Sequence, residues 1–224
     1  MSNLLVVICT KAKTIEELGE KPIYPSLKKQ CDSNSFIDFH LFSDNQRGLS
    51  NCYNEILRNP KHIDSTVLFV HDDVELNDLF LYEKLIDSPY SITGIAGAKT
   101  LDKTVDKLAW HLASSREHYV GEVGHRDKSG RVWTTLFGPT QSRALIIDGL
   151  FISCNVKDLV EKDLYFDEEF GFHFYDVAFC LRANEKKVTV GVLPINVVHH
   201  GLGDSMLTPE WEQANIKFKE TYCK

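Results

Sequence analysis

The sequence has no cluster of lysines and arginines, no C-x-x-C pair, no apolar run long enough to span a bilayer, and no repeat or low-complexity tract. The first absence argues against double-stranded nucleic acid as a partner, because reading a phosphate backbone needs grouped cations. The overall balance agrees, with 25 basic against 32 acidic residues and a net charge of -7. The second absence leaves the six cysteines (Cys9, Cys31, Cys52, Cys154, Cys180 and Cys223) without a zinc or disulfide framework. Most sit in apolar runs, where a thiol behaves as a small hydrophobe, so a reducing, cytoplasmic setting is expected. Neither a leader segment nor a transmembrane span is expected, which leaves room only for peripheral membrane contact. With no linker visible, the 224 residues read as one domain, and 43% hydrophobic content is enough for a sizeable core.

What is present is best read outward from Thr66-Val67-Leu68-Phe69-Val70-His71-Asp72-Asp73-Val74. A short apolar run rich in β-branched residues ends in two acids. It reads as a buried strand whose last residues reach the surface. Strand-like runs at 4–9, 36–42, 67–70 and 92–98 alternate with helical stretches at 11–21, 49–58 and 79–86. That alternation predicts an α/β fold with a mainly parallel central sheet flanked by helices. Residues 114–143 carry Gly121, Gly124, Gly130, Gly138 and Pro139 among charges and read as loops or short edge strands. A strand is expected at 144–147 and another at 188–198, the latter at an edge or bulged because Pro194 interrupts it. Helices are expected at 156–162, 175–187 and 211–222.

Polar residues fall at the expected carboxyl ends of strands: Thr10, Asp44, Asp72-Asp73, Asp148-Gly149 and His199-His200. Each has a plain alternative as a turn former or helix cap. Together they fall on the side of an open α/β sheet where ligands bind. Asp73 with a histidine from the end of the chain makes an oxygen–nitrogen set. Such a set suits Mn²⁺ or Mg²⁺ shared with substrate phosphates. Asp176, opening a helix beside Phe170, Phe172 and Phe174, is a candidate general base.

The ordered motifs resemble the family 2-type glycosyltransferases of GT-A fold, in particular their small bacterial and viral glycosyltransferase-like branch. The resemblance runs from Ser43-Asp44-Asn45 through Gly48 to Asn54, and on to Val70-His71-Asp72-Asp73-Val74 at the place of a D-x-D motif. It continues through Asp148-Gly149, then Phe166-Asp167-Glu168-Glu169-Phe170 with Phe174-Tyr175-Asp176 to Leu181-Arg182, and closes on Val198-His199-His200-Gly201-Leu202-Gly203. It implies a single GT-A (Rossmann-like) domain with a small additional antiparallel region. Residues 1–100 would form a nucleotide-binding half and 101–224 an acceptor-binding half. It also implies transfer of a sugar from a nucleotide-diphosphate donor, UDP-type by preference, to a glycan or other hydroxyl acceptor by inverting displacement. Thr10, Asp44, Asn54, Asp72 and Asp73 would bind the donor. Asp73 with His199 or His200 would hold Mn²⁺ or Mg²⁺. Asp148, Gly149 and Trp133 would face the acceptor, with His118 beside them, and Asp176 would act as base. Two departures stand out: His71 occupies the place of the first metal acid, and Tyr175 the place of an acid before the base.

Other classes compete. His71-Asp72 is the dipeptide of HD-type metal phosphohydrolases, but those carry it on helices and here it ends a strand-like run. A nucleotidylyltransferase needs a glycine-rich basic loop after the first strand, and Thr10-Lys11-Ala12-Lys13 has no glycine. A non-catalytic nucleotide-sugar binding module would not need Asp176.

Overall fold

Strand β1 (Leu4–Cys9) is apolar throughout and buried at five of six positions, as a strand covered on both faces must be. The computed structural model describes residues 3–201 and 208–223. Two helices follow, α1 (Ile15–Gly19), capped by the Thr14 side chain, and α2 (Ile23–Ser33). They carry the chain over to β2 (Ile37–Phe42), and α3 (Leu49–Leu57) carries it to β3 (Thr66–Val70). Both β2 and β3 pair with β1 in parallel, the outcome expected of helical crossovers.

Beyond β3 the chain adds β4 (Val74–Leu76), α4 (Leu81–Ile86), β5 (Ile92–Gly94) and β6 (Ala96–Ala98). The single apolar run expected at 92–98 is thus two strands, and they belong to different sheets. Next come β7 (Tyr119–Arg126) and β8 (Val132–Leu136), an antiparallel pair where loops or short edge strands were expected. Two-residue strands β9 (Ser142–Arg143) and β10 (Ile146–Ile147) lead to β11 (Phe151–Asn155) and α5 (Val156–Glu161). Helix α6 (Tyr175–Glu185), strands β12 (Val190–Val192) and β13 (Val197–His199), and helix α7 (Pro209–Tyr222) complete the described chain.

One sheet has the order β2-β1-β3-β11-β5-β12-β9 and the other β10-β6-β7-β13-β4, with β8 paired to β7. The first sheet is mixed rather than mainly parallel. Strand β11 runs antiparallel to both β3 and β5, entering from a short turn with no helix to supply a parallel crossover. The run expected at 188–198 also divides, at Pro194, which has no N–H to continue a ladder. Its first part, β12, joins the first sheet and its second, β13, joins the other. Two runs therefore pass from sheet to sheet. At one such passage Gly97 lies so close to Ile146 that a Cβ would stand 2.0 Å from the Ile146 carbonyl oxygen.

Candidate functional site

The carboxyl end of β3 opens into a cleft of about 1050 Å³. His71, Asp73, Trp133, Asp148, Gly149, Asp176 and His199 all line it. These residues are distant in sequence and come from both sheets and the start of α6.

The first cluster joins Asp73 and His199. His199 Nε2 lies 3.2 Å from Asp73 Oδ2, and His200 N–H donates to the Asp73 carbonyl at 2.9 Å. Burial alone would lower the His199 pKa, but the hydrogen bond and charge of Asp73, helped by Asp148, raise it. Burial likewise opposes ionisation of Asp73, yet the hydrogen bond and charge of His199 hold its pKa below the ordinary carboxylate value. The other oxygen, Asp73 Oδ1, is buried and has no hydrogen-bond partner, which a polar atom in that position does not tolerate cheaply. Gly201 closes the cluster: a Cβ there would stand 2.7 Å from His199 Nε2 and 3.0 Å from Asp73 Oδ2. One orphaned carboxylate oxygen, one imidazole and a cradle of backbone fit a hard divalent cation that takes its remaining oxygens from a substrate. Among the described residues no group of three or more acidic, histidine or cysteine side chains could hold a metal by itself. His200 turns away, its Nε2 lying 2.5 Å from Glu75 Oε1, so His199 is the histidine that meets Asp73. Leu202 and Gly203, the end of the closing motif, lie outside the described residues.

The second cluster surrounds Asp176. Its Oδ2 accepts from Gly149 N–H and its Oδ1 from Val177 N–H, each at 2.9 Å. Burial pushes its pKa up to about 7, and the neighbouring charge of Asp148 adds to the rise against those two hydrogen bonds. Asp148 is held by Trp110, whose Nε1–H donates to Oδ2 at 2.8 Å, and by Leu150 N–H on Oδ1. The preceding Phe174 has a left-handed backbone, φ 63°, costly for a bulky residue. It is held there by ring contacts with Trp211 and Phe218.

Tyr175 links the two clusters. Its hydroxyl donates to the Gly149 carbonyl at 2.7 Å and lies 3.0 Å from His71 Nε2. A phenol has one proton. With that proton on Gly149, His71 must donate from Nε2, which leaves Nδ1 unprotonated. Burial, the largest influence, lowers the His71 pKa and favours this neutral ring. Trp110, His125, Phe172 and Trp211 also line the cleft. Phe172 belongs to the aromatic stretch before Asp176; no motif marks the other three, and only their place in the fold brings them there.

The remaining candidates lie elsewhere. Thr10 and Asp72 share a 2.6 Å hydrogen bond, and Lys21 Nζ reaches the same Asp72 oxygen at 3.3 Å. Asp44, exposed and left-handed with φ 44°, stands beside them, since Asn45 N–H donates to the Thr10 carbonyl. These three form a polar shelf at the ends of β1, β2 and β3 rather than part of the cleft wall. Asn54 is fully buried, and its amide is committed to Phe166 N–H, Phe166 C=O and Glu168. It pins α3 to the segment before α6 and offers no free atom to a ligand. His118 is in the short turn before β7 and is not among the cleft-lining residues.

No protein-family model and no curated protein matches the chain. Among solved structures it is similar to the crystal structure of A197 from STIV, with a TM-score of 0.53 over 89% of this chain and 86% of that one, at 12% sequence identity. At that identity the likeness speaks to the fold alone. Among the described residues no helix is long and apolar enough to cross a membrane.

Proposed function

We propose that the chain is a GT-A-type glycosyltransferase that moves a sugar from a nucleotide-diphosphate donor to a hydroxyl acceptor. The observation that carries this reading is the meeting of Asp73, His199 and Asp176 on one cleft. Asp73 and His199 would hold Mn²⁺ or Mg²⁺, and such an ion would supply Lewis-acid stabilisation of a diphosphate leaving group.

The chain's own residues do the rest. Asp176, with a pKa near 7, accepts the acceptor hydroxyl proton as its oxygen forms a bond to the sugar anomeric carbon and the anomeric carbon–phosphate oxygen bond breaks. A base is most effective with a pKa near the working pH. Attack from the face opposite the leaving group inverts the anomeric centre. Gly149 N–H and Val177 N–H fix the carboxylate in place, and Trp110 orients Asp148 beside it. Trp133 and Phe172, on the cleft wall, offer ring faces to an acceptor sugar. Thr10, Asp44 and Asp72 form the shelf for the nucleoside.

The test is a panel of nucleotide sugars with Mn²⁺, reading release of nucleoside diphosphate in the presence of hydroxyl acceptors. Asp176→Asn is expected to lower turnover at least 100-fold while donor Kd stays within about twofold, in line with removal of a general base. Wild-type turnover in that variant would reject Asp176 as the base.

A further inference from the structure

A second concavity, of about 650 Å³, lies away from the cleft, and Lys99, Arg143, Lys187, Ser142 and Asn184 are among its lining residues. Among the described residues no acidic one lines it. In a chain of net charge -7 this is a local reversal of sign. Each of the three cations is exposed, and none takes part in any ion pair or side-chain hydrogen bond found among the described residues.

Two of the three have ordinary explanations when taken singly. Arg143 is on β9, an edge strand, where a cation discourages unwanted pairing. Lys187 follows the carboxyl end of α6, where a cation opposes the helix dipole. Neither explanation applies to Lys99, which follows β6, and neither requires three cations from three separate elements to share one groove. The place of the groove is set by the β6–β10 ladder. At one end of that ladder Asp148 N–H donates to Ala96 at 2.9 Å, within the cleft, and toward the other Leu145 N–H donates to Ala98 at 2.8 Å, beside Lys99. About three residues of strand, roughly 10 Å, therefore separate the two concavities along the ladder.

We propose that this groove is an anion subsite that takes a phosphate group, distinct from the catalytic cleft. Three cations without carboxylate partners among the described residues gain more from an oxyanion than paired ones could. The Asn184 amide and Ser142 hydroxyl add neutral donors. The phosphate can belong to a free solute or to a lipid headgroup at an anionic surface. The proposal does not depend on sugar transfer.

The experiment has two arms. Inorganic phosphate is titrated into the full chain in the presence of chelator, following the backbone amide resonances of Lys99, Arg143 and Lys187. In parallel, the chain is co-sedimented with phosphatidylglycerol and with phosphatidylcholine vesicles. The variant K99Q/R143Q/K187Q is expected to lose at least tenfold in apparent affinity. K28Q/K29Q/K61Q, with the same change in charge elsewhere, should stay within twofold. Should the triple variant melt early, R143Q alone is expected to lose about threefold. Phosphate saturating these amides, with loss in the triple variant, supports a solute. Binding only to phosphatidylglycerol, with the same loss, supports a headgroup. Absence of binding in both arms, or equal losses in the two triple variants, overturns the subsite.

Discussion

Asp176 carries its unusual pKa because of what the fold places around it. Its carboxyl is half-buried in the cleft beside Asp148 and reaches about 7, far above the unfolded value near 4. The sign of the linked stability follows. Between about pH 4 and pH 7 the folded chain holds a proton that the unfolded chain has released. Stability from this group is therefore full below the unfolded pKa and is lost as pH rises through about 7. Asp176→Asn removes that loss, but the amide has one acceptor oxygen for the two N–H groups that Asp176 now satisfies, at a cost of about 1 kcal/mol. The variant should be more stable than wild type at pH 8 by roughly 1–3 kcal/mol, and the advantage should shrink by about 2–3 kcal/mol at pH 5. Urea unfolding at both values checks it; equal differences would mean that Asp176 titrates as an exposed acid. The residue itself was legible in the sequence, from its place after Phe174-Tyr175 in a motif. Its environment was not, because Gly149 and Asp148 reach it across 27 and 28 positions of chain.

At the scale of elements, legibility followed how local the cause was. Helices α3, α5 and α7 are readable because an apolar face recurs within each one, whereas α6, buried along the whole run 177–181, is readable from its apolar content. Helix α2 carries no such signal in the sequence, although Ile23, Leu27 and Gln30 are its buried residues at helical spacing. The third of these is polar and its amide is spent on the carbonyls of Leu76 and Asp78, and Pro25 interrupts the pattern. The runs at 92–98 and 188–198 were read as single strands because apolar content does not reveal that a chain changes sheets midway. Asn54 illustrates the same limit. In the motif it reads as a donor ligand, whereas in the fold it ties α3 to both backbone groups of Phe166. Asn54→Ala would strip the partners from those buried groups and is expected to destabilise by roughly 2–4 kcal/mol. Donor affinity measured well below the melting temperature should stay within twofold. A large loss of affinity with unchanged stability would assign Asn54 to the ligand instead.

At the scale of the whole molecule, the cleft joins parts of the chain that neither sheet could bring together alone. Asp73 stands between β3 of the first sheet and β4 of the second, and the β4–β13 ladder, with Val74 opposite His199, brings His199 to it. An ion held by both, with a nucleotide diphosphate that completes its shell and lies on the shelf at the ends of β1, β2 and β3, would bind only when the two sheets are in their native relation. It should therefore stabilise the fold as one unit. At a ligand concentration a hundred times Kd, mass action supplies about 2.7 kcal/mol. For a chain of this size that corresponds to a rise of roughly 5–10 °C in melting temperature. The rise is expected with UDP and Mn²⁺ together and not with UDP in EDTA. It should vanish in both Asp73→Asn and His199→Ala and persist in His200→Ala, because His200 is engaged with Glu75. A shift that survives both Asp73→Asn and His199→Ala would place the nucleotide outside this cleft, whereas equal loss in His200→Ala would mean that the second histidine swings in when the ion binds.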